Sequence, residues 1–392
     1  MKIGIVTYVK CDNYGAELQA FAMQYIYNKL GYDAEIIDLE KQNKDLTKSI
    51  STIIPAIINR FKCYKFKAPI KIFKLILDVI SRKKAAKKYK KEISIKHDLF
   101  LDFFNEKIKH SSKHYSLTSI FTEPLPYDIY IAGSDQIWNY MHTDFLEVYF
   151  LTFANKWNAK KISYAASISV PDIPERLHSK YKNLLENMDV ISVRELNGKN
   201  LVEKYSNKKA TVVLDPTLLL TKDEWKKSVA NEIRPNEIYV LIYTLSGSKY
   251  IYELARNIAS RIDKKCKVIN IKSNFIPEED NNIEHLYQIG PKEWVGLMLN
   301  AAYIVTDSFH GTAFSINFNI PFTTLLNPSS NMNSRVLSIL EITGLKTRII
   351  YDDGSKTIPQ NLTINYQVVN QIINKWRKKS ENFITTSINN KS

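Results

Sequence analysis

Short apolar runs alternate with helical stripes along most of the chain. The first run, KIGIVTY at 2–8, is mostly apolar and rich in β-branched residues, which is typical of a buried strand. From Leu18 to Ile26 the apolar residues recur at helical spacing, and a second strand-like run, AEIIDLE, follows at 34–40. A strand, helix and strand of these lengths predict a βαβ unit and hence a parallel sheet.

The same alternation continues in two series. Strand-like runs of the first series begin near 127, 160, 188 and 210, and a charged connector at 221–237 then interrupts the rhythm. The second series runs from a strand at 238–246 to a helix at 334–345, and a last helix is predicted at about 364–385. Two such series predict an α/β protein with two Rossmann-like domains that face each other across a cleft.

This division gives provisional domain boundaries. Residues 1–225 are expected to form an N-terminal Rossmann-like domain with a basic helical insertion at about 53–110. Residues 236–362 are expected to form the C-terminal Rossmann-like domain, and 363–392 a terminal helix and tail.

Composition and cysteine content narrow the class of protein. The chain has 392 residues and three widely spaced cysteines with no CxxC pair, which argues against a disulfide framework or a structural zinc site. The N-terminal apolar run is too short for a secretory signal, and no run approaches the ~20 residues of a membrane helix. We therefore expect a cytoplasmic protein.

The formal net charge is +15, and residues 60–91 carry a large share of it. This segment reads as a lysine-rich helix with phenylalanine, isoleucine and leucine on the other side. Such a helix can lie on an anionic membrane surface, or it can pack its apolar side on the domain while the lysines face solvent. The first alternative would make the protein peripheral at the inner face of the cell membrane.

Polar residues at predicted strand ends are the candidates for chemistry. In DSFHGT (307–312), His310 precedes a helix expected to start near Gly311, where free N–H groups favour an anion. His310 can bind a phosphate or carboxylate or transfer a proton; alternatively, Asp307 or Ser308 caps the helix and His310 only bonds the turn.

Two further turns show the same ambiguity. Arg194 ends a strand and suits bidentate pairing with an anion, although an exposed pair with Glu195 would be worth little. In AGSDQIWN, Ser134 and Asp135 also have two possible roles. Asp135 can contact a sugar hydroxyl, or it can cap a helix.

Two other positions give weaker signals. In the first loop, Asn13, Tyr14 and Gly15 open a helix without the GxGxxG pattern of dinucleotide binding. Arg335 opens a late helix, where a cation is unfavourable for the helix dipole unless an anion binds or packing requires it. The sequence also lacks a P-loop, an HExxH motif, a GxSxG motif and an RNP-like strand, so neither a metal nor a nucleic-acid partner is expected.

Taken together and in order, these segments resemble the polysaccharide pyruvyl transferase family. The resemblance runs from about residue 2 to about 345, and GSDQIWN and DSFHGT are its most diagnostic parts. It implies a GT-B-like fold, phosphoenolpyruvate as donor substrate with no further cofactor, and a sugar acceptor in a bacterial surface glycan such as a capsule, exopolysaccharide or cell-wall polysaccharide. The acceptor in such enzymes is often a lipid-linked repeat unit, and the product is a pyruvate ketal that bridges two hydroxyls.

The resemblance also implies that the N-terminal domain, 1–225, is the acceptor side and the C-terminal domain, 236–362, the donor side, and it implies roles for individual residues. His310 and Arg194 match donor-binding and catalytic positions, and Ser308, Gly311, Thr312 and Arg335 are expected to bind the donor. Asn13, Tyr14, Gly15, Ser134 and Asp135 are expected on the acceptor side. A nucleotide-sugar glycosyltransferase on the same scaffold, or a non-catalytic basic protein that binds a membrane or nucleic acid, remain the alternatives.

Overall fold

Two parallel sheets and a short strand pair organise the molecule. The computed structural model describes residues 1–40, 87–125, 127–231, 235, 237–246, 248–272, 282–330 and 333–390. The predicted insertion at 53–110 and the basic segment 60–91 lie outside the described residues as far as residue 86.

The first sheet contains four parallel strands in the order β2-β1-β3-β4. Its strands are β1 (Lys2–Val6), β2 (Asp33–Ile36), β3 (Ile129–Ala132) and β4 (Lys160–Ser163). A parallel pair, β5 (Ile191–Val193) and β6 (Ala210–Val212), continues it through a bridge between Ile162 and Val190. These six strands and their helices are called the first half below.

In the described part of the first half, five α-helices lie between these strands and a sixth follows them. They are α1 (Tyr14–Lys29), α2 (Lys90–Lys107), the single turn α3 (Leu146–Tyr149), α4 (His178–Glu186), α5 (Leu196–Tyr205) and α6 (Lys222–Ser228).

The second half is built on six parallel strands in the order β12-β11-β10-β7-β8-β9. They are β7 (Tyr239–Thr244), β8 (Lys267–Lys272), β9 (Glu284–Leu286), β10 (Tyr303–Thr306), β11 (Phe322–Leu326) and β12 (Ile349–Tyr351). Its helices are α7 (Lys249–Ile262), α8 (Pro291–Asn300), α9 (Phe309–Phe318) and α10 (Ser334–Ile342).

Both strand orders reverse at a central pair of strands. In the first sheet β2 lies on one side of β1, and the next strand along the chain, β3, lies on the other side of β1. In the second sheet β8 and β9 lie on one side of β7, and β10 lies on the other side of β7. Parallel sheets of this kind bind ligands outside the carboxyl ends of the strands at the reversal. The predicted α/β architecture of two Rossmann-like units is confirmed, whereas the boundaries at 225, 236 and 362 stay predictions.

One apolar core spans both halves and fixes how they meet. The ring of Tyr14 in α1 stacks on Trp294 in α8 with 5.7 Å between centroids. Trp225 in α6 contacts both Phe21 of the first half, at 5.7 Å, and Phe314 of the second, at 4.9 Å. Buried aromatic contacts of this kind stabilise the packing of the halves against each other.

The last helix, α11 (Tyr366–Asn389), connects the halves a second time. It starts on the second half, where Tyr366 contacts the loop before β11, and it ends on the first, where Phe383 packs near Tyr164. The sequence ended this helix near 385, and the structure extends it to Asn389. Among the described helices, none is both long and apolar enough to cross a membrane.

Arg377 in α11 provides a test of this connection. It donates from Nε to Leu218 O at 2.7 Å and from a terminal nitrogen to Asn317 Oδ1 at 2.8 Å. We expect Arg377→Ala to lower the free energy of unfolding by about 2 kcal/mol, because two buried acceptors, Leu218 O and Asn317 Oδ1, lose a charged donor. Lys375→Ala, which removes the same charge from an exposed position of α11, is the control for urea denaturation. Equal stability of both variants would contradict the bridging role.

Candidate active site at the junction of the two halves

His310 lies in the first turn of the helix that follows β10. The helix begins at Phe309 rather than near Gly311, so His310 is a helical residue and not the tip of the preceding turn. Ser308 is the N-cap, and its hydroxyl accepts a hydrogen bond from Gly311 N. The imidazole is buried, with 6% of the residue exposed.

The other residues of this motif hold the helix on its sheet. A Cβ atom on Gly311 would lie 2.2 Å from Thr306 Oγ1, so glycine permits close packing on β10. Thr312 Oγ1 donates to Ser308 O at 3.0 Å and lies 2.9 Å from Thr324 Oγ1. The structure thus gives Gly311 and Thr312 packing contacts, and their predicted donor-binding role stays a prediction.

Asp307 does not cap this helix. Its carboxylate accepts hydrogen bonds from Thr244 Oγ1 and Leu245 N, both at 2.7 Å, and from Ser246 N at 2.9 Å. These residues end β7, the neighbouring strand at the reversal point. Asp307 therefore fixes the loop after β7 beside the loop that carries His310.

In the first half, Asn13 and Tyr14 have structural contacts. Asn13 caps α1 by accepting from Ala16 N at 3.2 Å. The hydroxyl of Tyr14 donates to Ile289 O in the second half at 2.8 Å, while its ring stacks on Trp294. Tyr14 thereby holds the start of α1 against the second half.

Gly15, at the start of α1, contacts His310 of the second half. A Cβ atom at Gly15 would lie only 1.9 Å from His310 Nδ1. Only a residue without a side chain fits here, so the two predicted motifs meet at one contact across the halves. The sequence placed them on opposite sides of a cleft without specifying this contact.

Ser134 and Asp135 follow β3, and Asp135 has an unusual backbone conformation. Asp135 has φ +73°, in the left-handed region, and no helix begins there, so its alternative role as a helix cap is wrong. Its Oδ1 accepts from Gln136 N at 2.8 Å. Ser134 Oγ donates to Asp215 Oδ2 at 2.8 Å. Strained residues of this kind are held by their surroundings and concentrate at functional sites.

Arg194 is buried between carboxylates, so the alternative of an exposed pair with Glu195 is wrong. The terminal nitrogens donate to Asp215 Oδ2 at 2.9 Å and to Asp135 Oδ1 at 3.3 Å. Nε lies 3.8 Å from Glu195 Oε2, and the guanidinium lies over the Phe309 ring at 4.5 Å. Both terminal nitrogens therefore have protein partners, although the sequence assigned Arg194 to a bidentate anion.

Asp215 is the residue that sequence reasoning missed. One of its oxygens, Oδ2, accepts from both Arg194 and Ser134 and lies 3.9 Å from His310 Nε2. The other, Oδ1, accepts from Thr217 N and Oγ1 at 3.0 and 2.7 Å. The signal was present in VLDPT, where an aspartate and a proline follow an apolar run at a strand end.

Several side chains in the cluster have buried polar atoms without a hydrogen bond among the described residues. These atoms are His310 Nε2, Arg335 Nε, Arg194 Nε and Glu195 Oε2, of which the last two lie 3.8 Å from each other. The guanidinium carbon of Arg335 lies 5.9 Å from the centroid of the Phe309 ring. Buried polar groups are normally paired, so unpaired ones at a strand-end junction indicate a place for a ligand.

The electrostatics follow from burial and from the neighbouring charges. Burial lowers the pKa of His310 below its usual 6.5; Asp215 and Asp135 oppose this shift, and Arg194 and Arg335 reinforce it. His310 is therefore neutral at pH 7. Burial, and then Arg194, lower the pKa of Arg335 to about 10, so that it stays protonated.

The aspartates remain ionised. Burial raises the pKa of Asp135, but Arg194 and Arg335 and the hydrogen bond from Gln136 N bring it below its usual value. For Asp215 the raising effect of burial is likewise outweighed, by Arg194 and by the hydrogen bonds from Thr217 and Ser134. The site thus holds a neutral imidazole and two guanidiniums among ionised carboxylates, a set suited to anion binding and proton transfer. Among the described residues, no group of three or more histidine, cysteine, aspartate or glutamate side chains could hold a metal ion.

Comparison with known proteins identifies the family. The model of the polysaccharide pyruvyl transferase family matches residues 13–330, and the chain therefore belongs to this family. The matched span includes His310, Arg194, Asp135 and Asp215, and ends just before Arg335. No curated protein sequence matches the chain significantly.

Solved structures show the fold. The UDP-GlcNAc 2-epimerase of Methanocaldococcus jannaschii is similar with a TM-score of 0.50 and 14% identity, over 95% of this chain and 92% of that chain. A candidate UDP-N-acetylglucosamine 2-epimerase from Listeria monocytogenes has a TM-score of 0.50 and 8% identity, over 99% of this chain and 95% of that chain. At such identities the likeness establishes the GT-B-like architecture of two Rossmann-like domains and nothing about substrates.

The contact between Gly15 and His310 can be tested by a double-mutant cycle. Gly15→Ala should destabilise the wild-type protein because the new methyl group displaces the imidazole, although alanine favours a helix over glycine by about 1 kcal/mol. In a His310→Ala background the same change should be neutral or stabilising. Urea denaturation of the four proteins gives the coupling free energy, and a value near zero would exclude the contact.

The burial of His310 as a neutral imidazole has a pH signature. As the pH falls below 6.5, histidine in the unfolded chain gains a proton before His310 in the folded protein does. The free energy of unfolding should therefore fall with decreasing pH more steeply in the wild type than in His310→Gln. Subtracting the free energy of unfolding of the variant from that of the wild type removes the contribution of the other histidines. If the wild type gains stability relative to the variant on acidification, His310 is not a neutral imidazole in the folded protein.

Proposed function

We propose that this protein transfers the pyruvyl group of phosphoenolpyruvate to two hydroxyls of one sugar and so forms a pyruvate ketal. The acceptor belongs to a bacterial surface polysaccharide, on a lipid-linked repeat unit. Membership of the polysaccharide pyruvyl transferase family supports the transfer reaction. The observation that carries the assignment of the site is the pair of unpaired polar atoms, His310 Nε2 and Arg335 Nε, in one buried cluster.

The chemistry requires both an anion site and a proton donor. The methylene carbon C3 of phosphoenolpyruvate takes a proton, and one sugar hydroxyl adds to C2. Phosphate then leaves C2, and the second hydroxyl adds to the same carbon, which closes the ketal. The two hydroxyls release two protons, of which one balances the proton on C3 and the other leaves with phosphate.

Arg335 is the group that we assign to the anionic donor. Its guanidinium is protonated, and Nε has no partner among the described residues, so it can bind the phosphate or carboxylate without breaking an ion pair. Arg194 Nε also lacks a hydrogen bond, but it lies 3.8 Å from Glu195 Oε2, and the two terminal nitrogens of Arg194 are held by Asp215 and Asp135. We therefore assign Arg194 to positioning these two carboxylates rather than to bidentate donor binding.

His310 is assigned to the proton and to the leaving phosphate. It is neutral in the site without ligand, and a phosphate dianion near Nε2 would favour its protonated form. The imidazolium formed in this way can donate to C3 or hold the departing phosphate oxygen. Asp135, which belongs to the first half, is assigned to the acceptor hydroxyls as a base or as a hydrogen-bond acceptor.

The decisive experiment follows both products of the reaction. Purified protein is incubated with carbon-labelled phosphoenolpyruvate and lipid-linked oligosaccharides, and inorganic phosphate and transferred label are measured. We expect one phosphate per pyruvyl group transferred, and the label should be released by mild acid as a ketal is. Failure of transfer to every hexose and N-acetylhexosamine acceptor, or transfer only from a nucleotide sugar, would refute the proposal.

Variants distinguish the assigned roles. His310→Ala should lose activity by orders of magnitude while the fold is kept. Arg335→Gln should mainly raise the KM for phosphoenolpyruvate, because a hydrogen bond to a charged group is worth about 1.5–3 kcal/mol. Arg176→Gln, which removes an exposed arginine of the first half, is the charge-matched control. If Arg335→Gln and Arg176→Gln have the same KM, the donor site lies elsewhere.

A further inference from the structure

The aromatic ring of Phe309 contacts three functional side chains of the candidate active site. The guanidinium carbon of Arg194 lies 4.5 Å from the ring centroid, and that of Arg335 lies 5.9 Å from it. The imidazole of His310 meets the same ring edge to face, with 5.1 Å between the two centroids. Phe309 is the first residue of α9 and is buried. A single apolar ring of the second half therefore contacts both arginines of the site and its histidine.

The structure compensates the charges of the two arginines in different ways. Arg194 forms ion pairs with Asp135, Glu195 and Asp215. Arg335 has no ion pair among the described residues, and its buried Nε has no hydrogen bond there. Arginines with buried nitrogen atoms are normally paired. The contact that the structure does give to the guanidinium of Arg335 is the Phe309 ring.

A ring and a carboxylate affect an incoming anion differently. A carboxylate beside Arg335 would accept hydrogen bonds from its N–H groups and would repel the phosphate and the carboxylate of the donor. An aromatic ring attracts the guanidinium through its negative face and accepts no hydrogen bond in the guanidinium plane. The N–H groups of a guanidinium held in this way stay available for bidentate pairing with an anion.

We propose that Phe309 is a positioning residue for the donor substrate. Its ring holds the guanidinium of Arg335 by a cation–π contact and leaves the N–H groups to the phosphate or carboxylate of phosphoenolpyruvate. The inference rests on the proposed pyruvyl transfer and adds the residue that orients the donor-binding arginine. Because Phe309 acts through Arg335, binding of the donor should depend on the electron density of the ring face and not only on the volume of the side chain.

Fluorination of the ring separates the cation–π contact from packing. Fluorine atoms withdraw electron density from the ring face and so weaken its attraction for a cation, while the ring keeps its shape and its apolar character. Phenylalanines with one, two and three ring fluorines are incorporated at position 309 of the full chain. The Kd of phosphoenolpyruvate is measured by isothermal titration calorimetry without any acceptor, and urea denaturation checks that the stability is unchanged.

We expect the Kd to rise with each added fluorine. Phe309→Leu, which removes the ring face, should raise the Kd by about threefold to thirtyfold, as the strength of a cation–π contact implies. Phe318→Leu is the matched control, because it removes a buried ring from the same helix at a position where no cation of the described residues lies over the ring. The control should leave the Kd unchanged.

A double-mutant cycle tests whether the ring acts through Arg335 rather than through Arg194. If it does, Phe309→Leu should have no effect on the Kd of phosphoenolpyruvate in an Arg335→Gln background. An effect of Phe309→Leu that persists in full in this background would show that the ring acts on the donor by another route, and it would overturn the assignment.

The remaining contrary outcomes are distinct. A Kd that does not change with fluorination overturns the positioning role. A graded Kd without any pyruvyl transfer refutes the proposed function and leaves the positioning role standing, whereas transfer with a Kd that fluorination does not change does the reverse. Failure of the wild type to bind phosphoenolpyruvate at all overturns both.

Discussion

The ion pairs of Arg194 with Asp135 and Asp215 organise the candidate active site. A single guanidinium connects residues that end β3, β5 and β6, which are far apart in sequence. Burying such charges is expensive, and removing one partner from a buried pair costs about 3–5 kcal/mol. A network of this kind adds little net stability over apolar packing, so its value lies in the fixed positions of the carboxylates.

These fixed positions explain how the second half can contribute a reactive group. The imidazole of His310 enters from α9 and stops against Gly15 on one side, with Asp215 on the other. The packing of Tyr14 on Trp294 and the course of α11 hold the two halves in this relation. A small displacement between the halves would separate His310 from the carboxylates, so the apolar core between them also determines the geometry of the site.

The sequence predicted the fold well and the pairing of side chains poorly. Strand and helix patterns were strong because buried parallel strands are continuous apolar runs, and the position of His310 near a strand end followed from them. The start of α9 was expected near Gly311, and the structure begins the helix at Phe309 with Ser308, one of the two caps considered, as its N-cap. A helix cap stayed an alternative for Asp135 because its positive φ, which the surrounding contacts impose, leaves no local sequence signal.

The assignment of Arg194 shows why the ion-pair partners of a buried charged residue cannot be predicted from a single sequence. An arginine at a strand end suits an external anion and an internal carboxylate equally well, and the decision depends on Asp215, which lies 21 positions away. Asp215 in turn was overlooked because an aspartate before a proline is common in turns. Arg194 is neutralised by Asp215, Asp135 and Glu195, whereas Arg335 is the guanidinium of the cluster that has no ion pair within the described part of the chain. The donor site is therefore better identified by the buried polar atoms that the protein leaves unsatisfied than by the residues with the most suitable chemistry in isolation.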